Sequence, residues 1–203
     1  TIRVEGDTKL DKDSILTIVN PIEGTENPDI LFSTPESDLI LAKGGDDTII
    51  GSLGNDTVNG GAGFDTLDYS FLGRKITLLP QGLIGNGNTQ GSQIQDIERI
   101  VGSQGKDYTI DGSGGKTSVF FTINLADELL VVENIPGLGS VQFEVENFVN
   151  VEGTENADSI TGSDGVEKLL GNGGNDTLVG KLGGIGGDTL IGGAGDDTLI
   201  GSD

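Results

Sequence analysis

Single aliphatic side chains recur every nine residues in two stretches of the chain, apart from one longer interval. The first series is Leu31, Ile40, Ile49, Val58 and Leu67, and the second is Ile160, Leu169, Leu178, Leu190 and Leu199. Each lies in a β-prone segment such as Thr-Leu-Ile, where only the central position must be apolar. This pattern predicts very short strands that each turn one side chain toward a core. Two nine-residue units would complete a turn of about 18 residues, and successive turns would stack about 4.8 Å apart, like strands in a sheet.

An acidic residue precedes each of these aliphatic residues by two positions. The acids are Asp29, Asp38, Asp47, Asp56, Asp65, Asp158, Glu167, Asp176, Asp188 and Asp197. A disordered, solvated linker is the alternative explanation for acidic, glycine-rich sequence. A linker has no reason to keep an aliphatic residue at a fixed distance from every acid, so we favour an ordered fold.

Glycine-rich loops separate the strands, and the clearest copies are GGAGFDTLD from Gly60, GGIGGDTLI from Gly183 and GGAGDDTLI from Gly192. Glycine allows positive φ and close approach of the backbone, so carbonyl oxygens can converge beside the carboxylate. Carbonyls and carboxylates together form the all-oxygen shell that Ca²⁺ prefers, with 6–8 ligands. The candidate loop glycines are Gly51, Gly54, Gly60, Gly61, Gly63, Gly171, Gly174, Gly183, Gly184, Gly186, Gly192, Gly193 and Gly195.

The nonapeptide resembles the repeat of the RTX, or hemolysin-type, calcium-binding family. This resemblance implies a parallel β-roll with Ca²⁺ bound between loops one full turn apart, on both edges of the roll. About six sites follow from it. The implied pairs of acids are Asp29 with Asp47, Asp47 with Asp65, Asp38 with Asp56, Asp158 with Asp176, Glu167 with Asp188, and Asp176 with Asp197.

Three positions depart from the repeat. The loop before Asp38 has the sequence STPES and no glycine, so we expect that edge to bind weakly or to be closed by other groups. Glu167 is one methylene longer than Asp and follows a loop of only partial match. Asp188 follows Asp176 by more than the usual nine positions, so we expect the surplus segment 180–182 to bulge out of the register.

These patterns predict an all-β protein with two calcium-binding β-roll (β-solenoid) segments that flank a non-repeat β region. The predicted organisation is a β-rich tail of a preceding unit (1–23), a first roll (24–68), an intervening region (69–152), and a second roll (153–203) that is open at its C-terminal end. In the intervening region, alternation at 141–146 predicts a strand, and the near-match GSQGKDYTI from Gly102 predicts a solenoid turn. This region is either a small sandwich or a set of wider solenoid coils.

A longer repeat relates the two rolls. The segment EGTENPD at 23–29 matches EGTENAD at 152–158. The match has two explanations. The chain contains parts of an array of long units, each of which begins at this segment, or the β segments that lead into such rolls simply have similar sequences.

Charge and composition limit the function. The chain has 33 acidic and 11 basic residues, a net charge of −22, and neither His, Cys nor Trp. Self-repulsion should keep the ion-free chain expanded, and about six Ca²⁺ would add about +12 and offset more than half of the charge. We therefore expect a secreted or cell-surface location, where Ca²⁺ is abundant, and no membrane span. The acidic surface argues against nucleic acid as a partner.

Catalysis is not expected, because imidazole bases and thiol nucleophiles are absent. The favoured function is a secreted, Ca²⁺-binding structural protein, a repeat unit of a cell-surface, matrix or filament scaffold that could associate head to tail. The alternative is an accessory folding module of a larger secreted enzyme or toxin. The resemblance implies type I secretion, after which external Ca²⁺ drives folding.

Overall fold

The computed structural model describes residues 21–72, 77–79, 83–85, 92–104, 108–113, 118–135, 139–181 and 187–201. The predicted tail of a preceding unit at 1–23 therefore lies almost wholly outside the described residues. The first segment contains β1 (Ile22–Glu23), β2 (Ile30–Phe32), β3 (Leu39–Leu41), β4 (Thr48–Ile50), β5 (Thr57–Asn59) and β6 (Thr66–Asp68). The middle region contains β7 (Thr77–Leu79), β8 (Leu83–Gly85), β9 (Ser92–Gln95), β10 (Arg99–Val101), β11 (Tyr108–Asp111), β12 (Phe120–Asn124), β13 (Leu129–Ile135) and β14 (Gly139–Glu146). The last segment contains β15 (Phe148–Glu152), β16 (Ser159–Thr161), β17 (Lys168–Gly173), β18 (Thr177–Val179), β19 (Thr189–Ala194) and β20 (Thr198–Ile200).

The strands form two ten-stranded sheets that face each other across one core. The first sheet has the order β1-β3-β5-β9-β8-β7-β11-β15-β17-β19, and the second has the order β2-β4-β6-β10-β14-β13-β12-β16-β18-β20. In the repeat segments consecutive strands alternate between the sheets, and neighbours within a sheet are parallel. The repeated aliphatic positions therefore align one turn apart, as Leu31 does with Ile49 and Ile49 with Leu67. This register confirms the predicted β-roll of two nonapeptides per turn.

The core consists of the repeated aliphatic side chains, and their burial depends on their place along the roll. Ile40, Ile49 and Leu67 are 0 % exposed in the first segment, whereas Leu199 in the last turn is 48 % exposed. Full burial of such a side chain contributes about 1.5–3 kcal/mol. A turn thus depends on the turns on both sides of it.

The middle region continues the same two sheets. In the first sheet, β8 pairs antiparallel with both β7 and β9, and in the second sheet β13 pairs antiparallel with both β12 and β14. The strand β10 is parallel to β6 and β14, and β11 is parallel to β7 and β15. The region therefore forms wider coils of the roll, and the near-match from Gly102 leads into a parallel strand, β11.

The longer interval in the second roll leaves the strand register intact. Thr177 aligns with Thr198, and Lys168 aligns with Thr189, although the chain between them is longer than in the other turns. Lys181 lies in the inserted segment and forms an ion pair with Asp164 at 3.0 Å. Leu182 lies outside the described residues.

Helical structure is limited to one 3₁₀ turn, Leu125–Asp127, within the described ranges. None of the helical structure there is long and apolar enough to cross a membrane.

Candidate metal centres

The loops of the roll carry the acids to two edges. Loops that run from the first sheet to the second form what we call the first edge, and loops that return form the second edge. The first edge carries Asp29, Asp47, Asp65, Asp158, Asp176 and Asp197, and the second carries Asp38, Asp56, Glu167 and Asp188.

Acids one turn apart are joined by a hydrogen bond between the main chain and a side chain. In each of the six pairs implied by the repeat, the N–H of the earlier acid donates to a carboxylate oxygen of the later one. The N···O distances are 2.8 Å for Asp29–Asp47, 3.1 Å for Asp38–Asp56, 2.8 Å for Asp47–Asp65, 2.8 Å for Asp158–Asp176, 3.1 Å for Glu167–Asp188 and 3.0 Å for Asp176–Asp197. One oxygen, Oδ1, of each later carboxylate is therefore committed to the preceding turn.

Six of the ten acids are buried, and no basic side chain among the described residues compensates them. The buried acids are Asp47, Asp56, Asp65, Asp158, Glu167 and Asp176, each at most 3 % exposed. In the described part of the chain the ion pairs are Lys43–Glu23, Arg99–Glu146 and Lys181–Asp164, and none of them includes a buried acid. Because an unpaired buried charge is costly, these carboxylates require either protons or a cation from solution.

Burial shifts the proton affinity of these acids upward. Burial raises the pKa of Asp56 to about 6, and the neighbouring carboxylate of Asp38 adds to the rise. Burial likewise raises the pKa of Asp158 to about 6, although N–H donors from Phe121 and Thr154 oppose the rise. The pKa values of Asp65, Glu167 and Asp176 are also raised, with burial as the main cause.

Three of the pairs have an oxygen that is free for a metal, and we call them the open pairs. They are Asp47–Asp65, Asp176–Asp197 and Glu167–Asp188. In each, the second oxygen of the earlier acid is buried without a hydrogen-bond partner: Asp47 Oδ2, Asp176 Oδ2 and Glu167 Oε2. A buried acceptor without a donor needs an explanation, and a bound cation supplies one.

At one of these oxygens, Asp176 Oδ2, a backbone carbonyl lies close by. At Gly171 a Cβ atom would lie within 3.0 Å of both Asp176 Oδ2 and the carbonyl oxygen of Gly192 in the next turn. Any side chain would fill this space, so the position requires glycine. The described residues contain no group of three or more His, Cys, Asp or Glu side chains placed to hold a metal ion. A metal here would bind the carboxylates of Asp176 and Asp197 and the carbonyl of Gly192, which are hard oxygen ligands that fit Ca²⁺.

The other three pairs are closed by threonine, and we call them the closed pairs. Thr25, Thr34 and Thr154 each lie four residues before an acid and donate both their N–H and their hydroxyl to its Oδ2. The N···O and O···O distances are 2.6 and 2.8 Å to Asp29, 2.6 and 2.9 Å to Asp38, and 2.6 and 3.1 Å to Asp158. The loop STPES is thus closed by its own Thr34. The repeat pattern alone misses this role, although a Thr four residues before an acid is a local signal for such a bond.

The predicted loop glycines have several different environments. Gly54 would bring a Cβ within 3.0 Å of the Glu36 carbonyl oxygen and of Asp56 Oδ1, whereas Gly51 lies against the ring of Tyr69. Positive φ angles occur at Gly61 (99°), Gly63 (144°), Gly174 (111°), Gly193 (109°) and Gly195 (139°). A Cβ at Gly192 would lie within 3.0 Å of Asp197 Oδ2. Gly183, Gly184 and Gly186 lie outside the described residues.

Comparison with protein families identifies the repeat. The model of the RTX calcium-binding nonapeptide repeat matches the chain in four copies, over residues 23–67, 150–180 and 182–203. A comparison with curated proteins finds no match. The matched ranges contain all ten acids and both edges of paired loops described above. The two roll segments of this chain therefore consist of RTX calcium-binding nonapeptide repeats.

Proposed function

We propose that this chain is a secreted structural module whose fold is completed by Ca²⁺ bound along both edges of the roll. The observation that carries the proposal is the set of buried carboxylates with no basic partner among the described residues, several of them with an unpartnered oxygen. Bound Ca²⁺ supplies the positive charge that these oxygens lack. Asp47, Asp65, Asp176, Asp197, Glu167 and Asp188 would hold the ions, together with loop carbonyls such as that of Gly192.

The residues of the loops prepare the sites before an ion arrives. Each N–H···Oδ1 bond between turns orients a carboxylate, so that its second oxygen is directed to the carbonyls of the loop. Glycine at Gly60, Gly171 and Gly192 keeps side chains out of this space. Self-repulsion at a net charge of −22 disfavours this compact arrangement until the charge is neutralised. Folding is therefore coupled to metal concentration.

A scaffold role is supported by the long repeat that relates the two rolls, because the match extends to the hydrogen bonds. Thr25 closes Asp29 and Thr154 closes Asp158 through the same two donors, at the entry to each roll. Within the described part of the chain no strand pairs with the outer edges of β19 and β20, where Ile191, Leu199 and Ile200 are 45–48 % exposed. A further unit, either another copy or the continuation of a longer chain, would cover this edge and extend the roll head to tail.

The accessory-module function would use the same Ca²⁺-dependent folding after export, with catalysis in another domain. We propose no catalytic role for the chain itself. The full-length gene distinguishes the two functions: further copies of the long unit favour the scaffold, and one catalytic domain favours the accessory module.

Circular dichroism of the purified chain tests the central proposal. In chelator the spectrum should be that of a largely disordered chain, and millimolar Ca²⁺ should convert it to a β-rich spectrum. Mg²⁺ at the same concentration is the matched control, because it prefers octahedral sites that keep several waters. An unchanged β spectrum across the Ca²⁺ titration would reject the proposal.

A further inference from the structure

We propose an additional Ca²⁺ site where the first roll meets the middle region, formed by Asp65, Glu98 and the backbone carbonyl of Asp96. It rests on the proposed function and deepens it, because it adds an ion to a place that the nonapeptide does not mark. Glu98 lies far outside the nine-residue spacing that follows Asp65, and its loop contains neither glycine nor the repeat pattern.

Strand register places Glu98 in the position of a repeat acid. Arg99 aligns with Thr66, so Glu98 lies opposite Asp65. On the neighbouring strands Gln95 aligns with Asn59, so Asp96 lies opposite Gly60, the first residue of the loop. The short segment 96–98 thus spans the edge that a longer glycine-rich loop spans in a repeat.

The hydrogen bonds at this position match those of an open pair. The N–H of Asp65 donates to Glu98 Oε2 at 2.7 Å, as the N–H of Asp176 donates to Asp197 Oδ1 at 3.0 Å. The Asp65 carbonyl accepts from the N–H of Arg99 at 3.0 Å, which is the bond that a residue after a repeat acid forms. Glu98 therefore replaces the Asp of the next turn.

An unpartnered oxygen faces this pair. Asp65 is 0 % exposed, and its Oδ2 has no hydrogen-bond partner. A Cβ at Gly60 would lie within 3.0 Å of both Asp65 Oδ2 and the Asp96 carbonyl oxygen, the same convergence that Gly171 has with Asp176 and Gly192. Two carboxylates and a carbonyl form a hard oxygen set suited to Ca²⁺.

On the second edge, the corresponding position at this end of the first roll is closed by a hydroxyl and needs no metal. There the N–H of Asp56 donates to Ser92 Oγ at 3.0 Å, and that hydroxyl donates to the Gly54 carbonyl at 3.1 Å. A neutral hydroxyl thus satisfies both neighbours. On the first edge the carboxylate of Glu98 occupies the corresponding position. It adds negative charge beside the buried Asp65, whose Oδ2 has no hydrogen-bond partner.

The segment that carries Glu98 borders a cavity. Residues Asp96, Ile97 and Glu98 line a cavity of about 480 Å³, whose other wall includes Val132 and Phe143. The site therefore lies at the boundary between the repeat segment and the antiparallel strands of the middle region.

Calcium stoichiometry of variants of the full chain tests the site. Glu98→Gln keeps an oxygen that can accept from the Asp65 N–H but removes the charge, so the number of bound Ca²⁺ should fall by one. Glu144→Gln is the matched control, since Glu144 is exposed on the adjacent strand β14 and its loss removes the same charge. It should leave the count unchanged. Asp65→Asn, which affects two pairs, should remove two ions.

Equilibrium dialysis with metal analysis supplies the counts, and circular dichroism in saturating Ca²⁺ verifies that each variant is folded. Equal counts for Glu98→Gln and the wild type would overturn the site and leave Glu98 as a hydrogen-bond acceptor only, while the proposed function would stand. Failure of the wild type to bind any Ca²⁺ would instead reject the proposed function, and this site with it.

Discussion

The main-chain N–H of Asp158 donates a hydrogen bond to Oδ1 of Asp176, one turn later, over 2.8 Å. The carboxylate of Asp158 in turn accepts from the N–H of Phe121 at 2.5 Å and from Thr154. An interior acid such as Asp158 is thus oriented by one neighbour and orients another. Among the acids that donate to a repeat acid of the next turn, the second oxygen differs: it is bonded to a threonine in Asp29, Asp38 and Asp158 and has no partner in Asp47, Glu167 and Asp176, and several predictions concern that difference.

Asp47→Ala should remove more bound Ca²⁺ than Asp38→Ala. Asp47 belongs to two pairs and has a buried, unpartnered Oδ2, whereas Asp38 belongs to one pair and its Oδ2 is bonded to Thr34. We expect the loss of at least one ion for Asp47→Ala and of none for Asp38→Ala. Isothermal titration calorimetry provides the counts. Equal losses from the two variants would refute the distinction between open and closed pairs.

Thr154→Val should destabilise the Ca²⁺-loaded protein by about 1–3 kcal/mol, because it removes a buried hydroxyl donor to Asp158. Thr25→Val removes the same bond at an exposed position and should cost less than about 1 kcal/mol. Urea unfolding of both variants provides the comparison. Neither should change the Ca²⁺ count, and a count altered by one ion would assign the threonine loops to metal binding instead.

Leu178→Ala should cost about 2–5 kcal/mol in the Ca²⁺-loaded protein, since Leu178 is 0 % exposed and its removal leaves a cavity. Leu199→Ala at the same repeat position should cost about 0.5 kcal/mol or less, because Leu199 is 48 % exposed. Thermal melts of the two variants, each compared with the wild type, measure the two losses of stability. If the two costs are similar, another chain covers the Leu199 edge in solution.

Acidification should stabilise the metal-free fold. Burial raises the pKa values of Asp56 and Asp158 to about 6 in the folded chain, from 3.8. The folded state therefore binds more protons than the unfolded state between about pH 4 and pH 6, so the free energy of unfolding rises as the pH falls through 6. The pKa values of Asp65, Glu167 and Asp176, which belong to the open pairs, are raised as well, so protons compete with Ca²⁺ there and the Ca²⁺ affinity should fall as the pH falls.

Metal-stripped protein, melted at pH 7, 6 and 5 in metal-free buffer, provides the measurement. Its folded fraction should be largest at pH 5. A folded fraction that declines steadily on acidification would show that these acids are not buried in the metal-free fold.

Head-to-tail association should appear in Ca²⁺ and disappear in chelator. The free edge of β20 exposes apolar side chains, and unpaired strand edges tend to associate. Because the two ends of the roll differ, the contact would be heterologous and could extend into fibres. Light scattering at increasing protein concentration tests this, with Leu199→Lys as a variant that should block growth. A stable monomer at high concentration in Ca²⁺ would argue against assembly.

The repeats allowed the fold of the two rolls to be predicted because their spacing is local. Nine-residue spacing alone places Asp47 and Ile49 on a turn, and the register of Ile49 with Leu67 follows from it. The arrangement of the middle region was not predictable in this way. Its strands obtain their register from partners that are distant in sequence, as Arg99 does from Glu144.

The same limit applied to the candidate sites. Glu98 aligns with Asp65 only through strand pairing, and no local motif marks it. The hydroxyl of Thr154 bonds to Asp158 four residues later, so a local signal existed, but the spacing of acids and aliphatic residues does not include it.

The bond from each acid to the next turn makes the roll a one-dimensional array with a direction. Asp65 contributes both to the open pair with Asp47 and to the proposed site with Glu98, so these neighbouring positions share a ligand. Such arrays respond cooperatively, because filling one position favours the next, and order can propagate from a single nucleus. The rolls should therefore switch over a narrow range of Ca²⁺ concentration. A defect within an array should divide it into two shorter stretches, each with a broader transition.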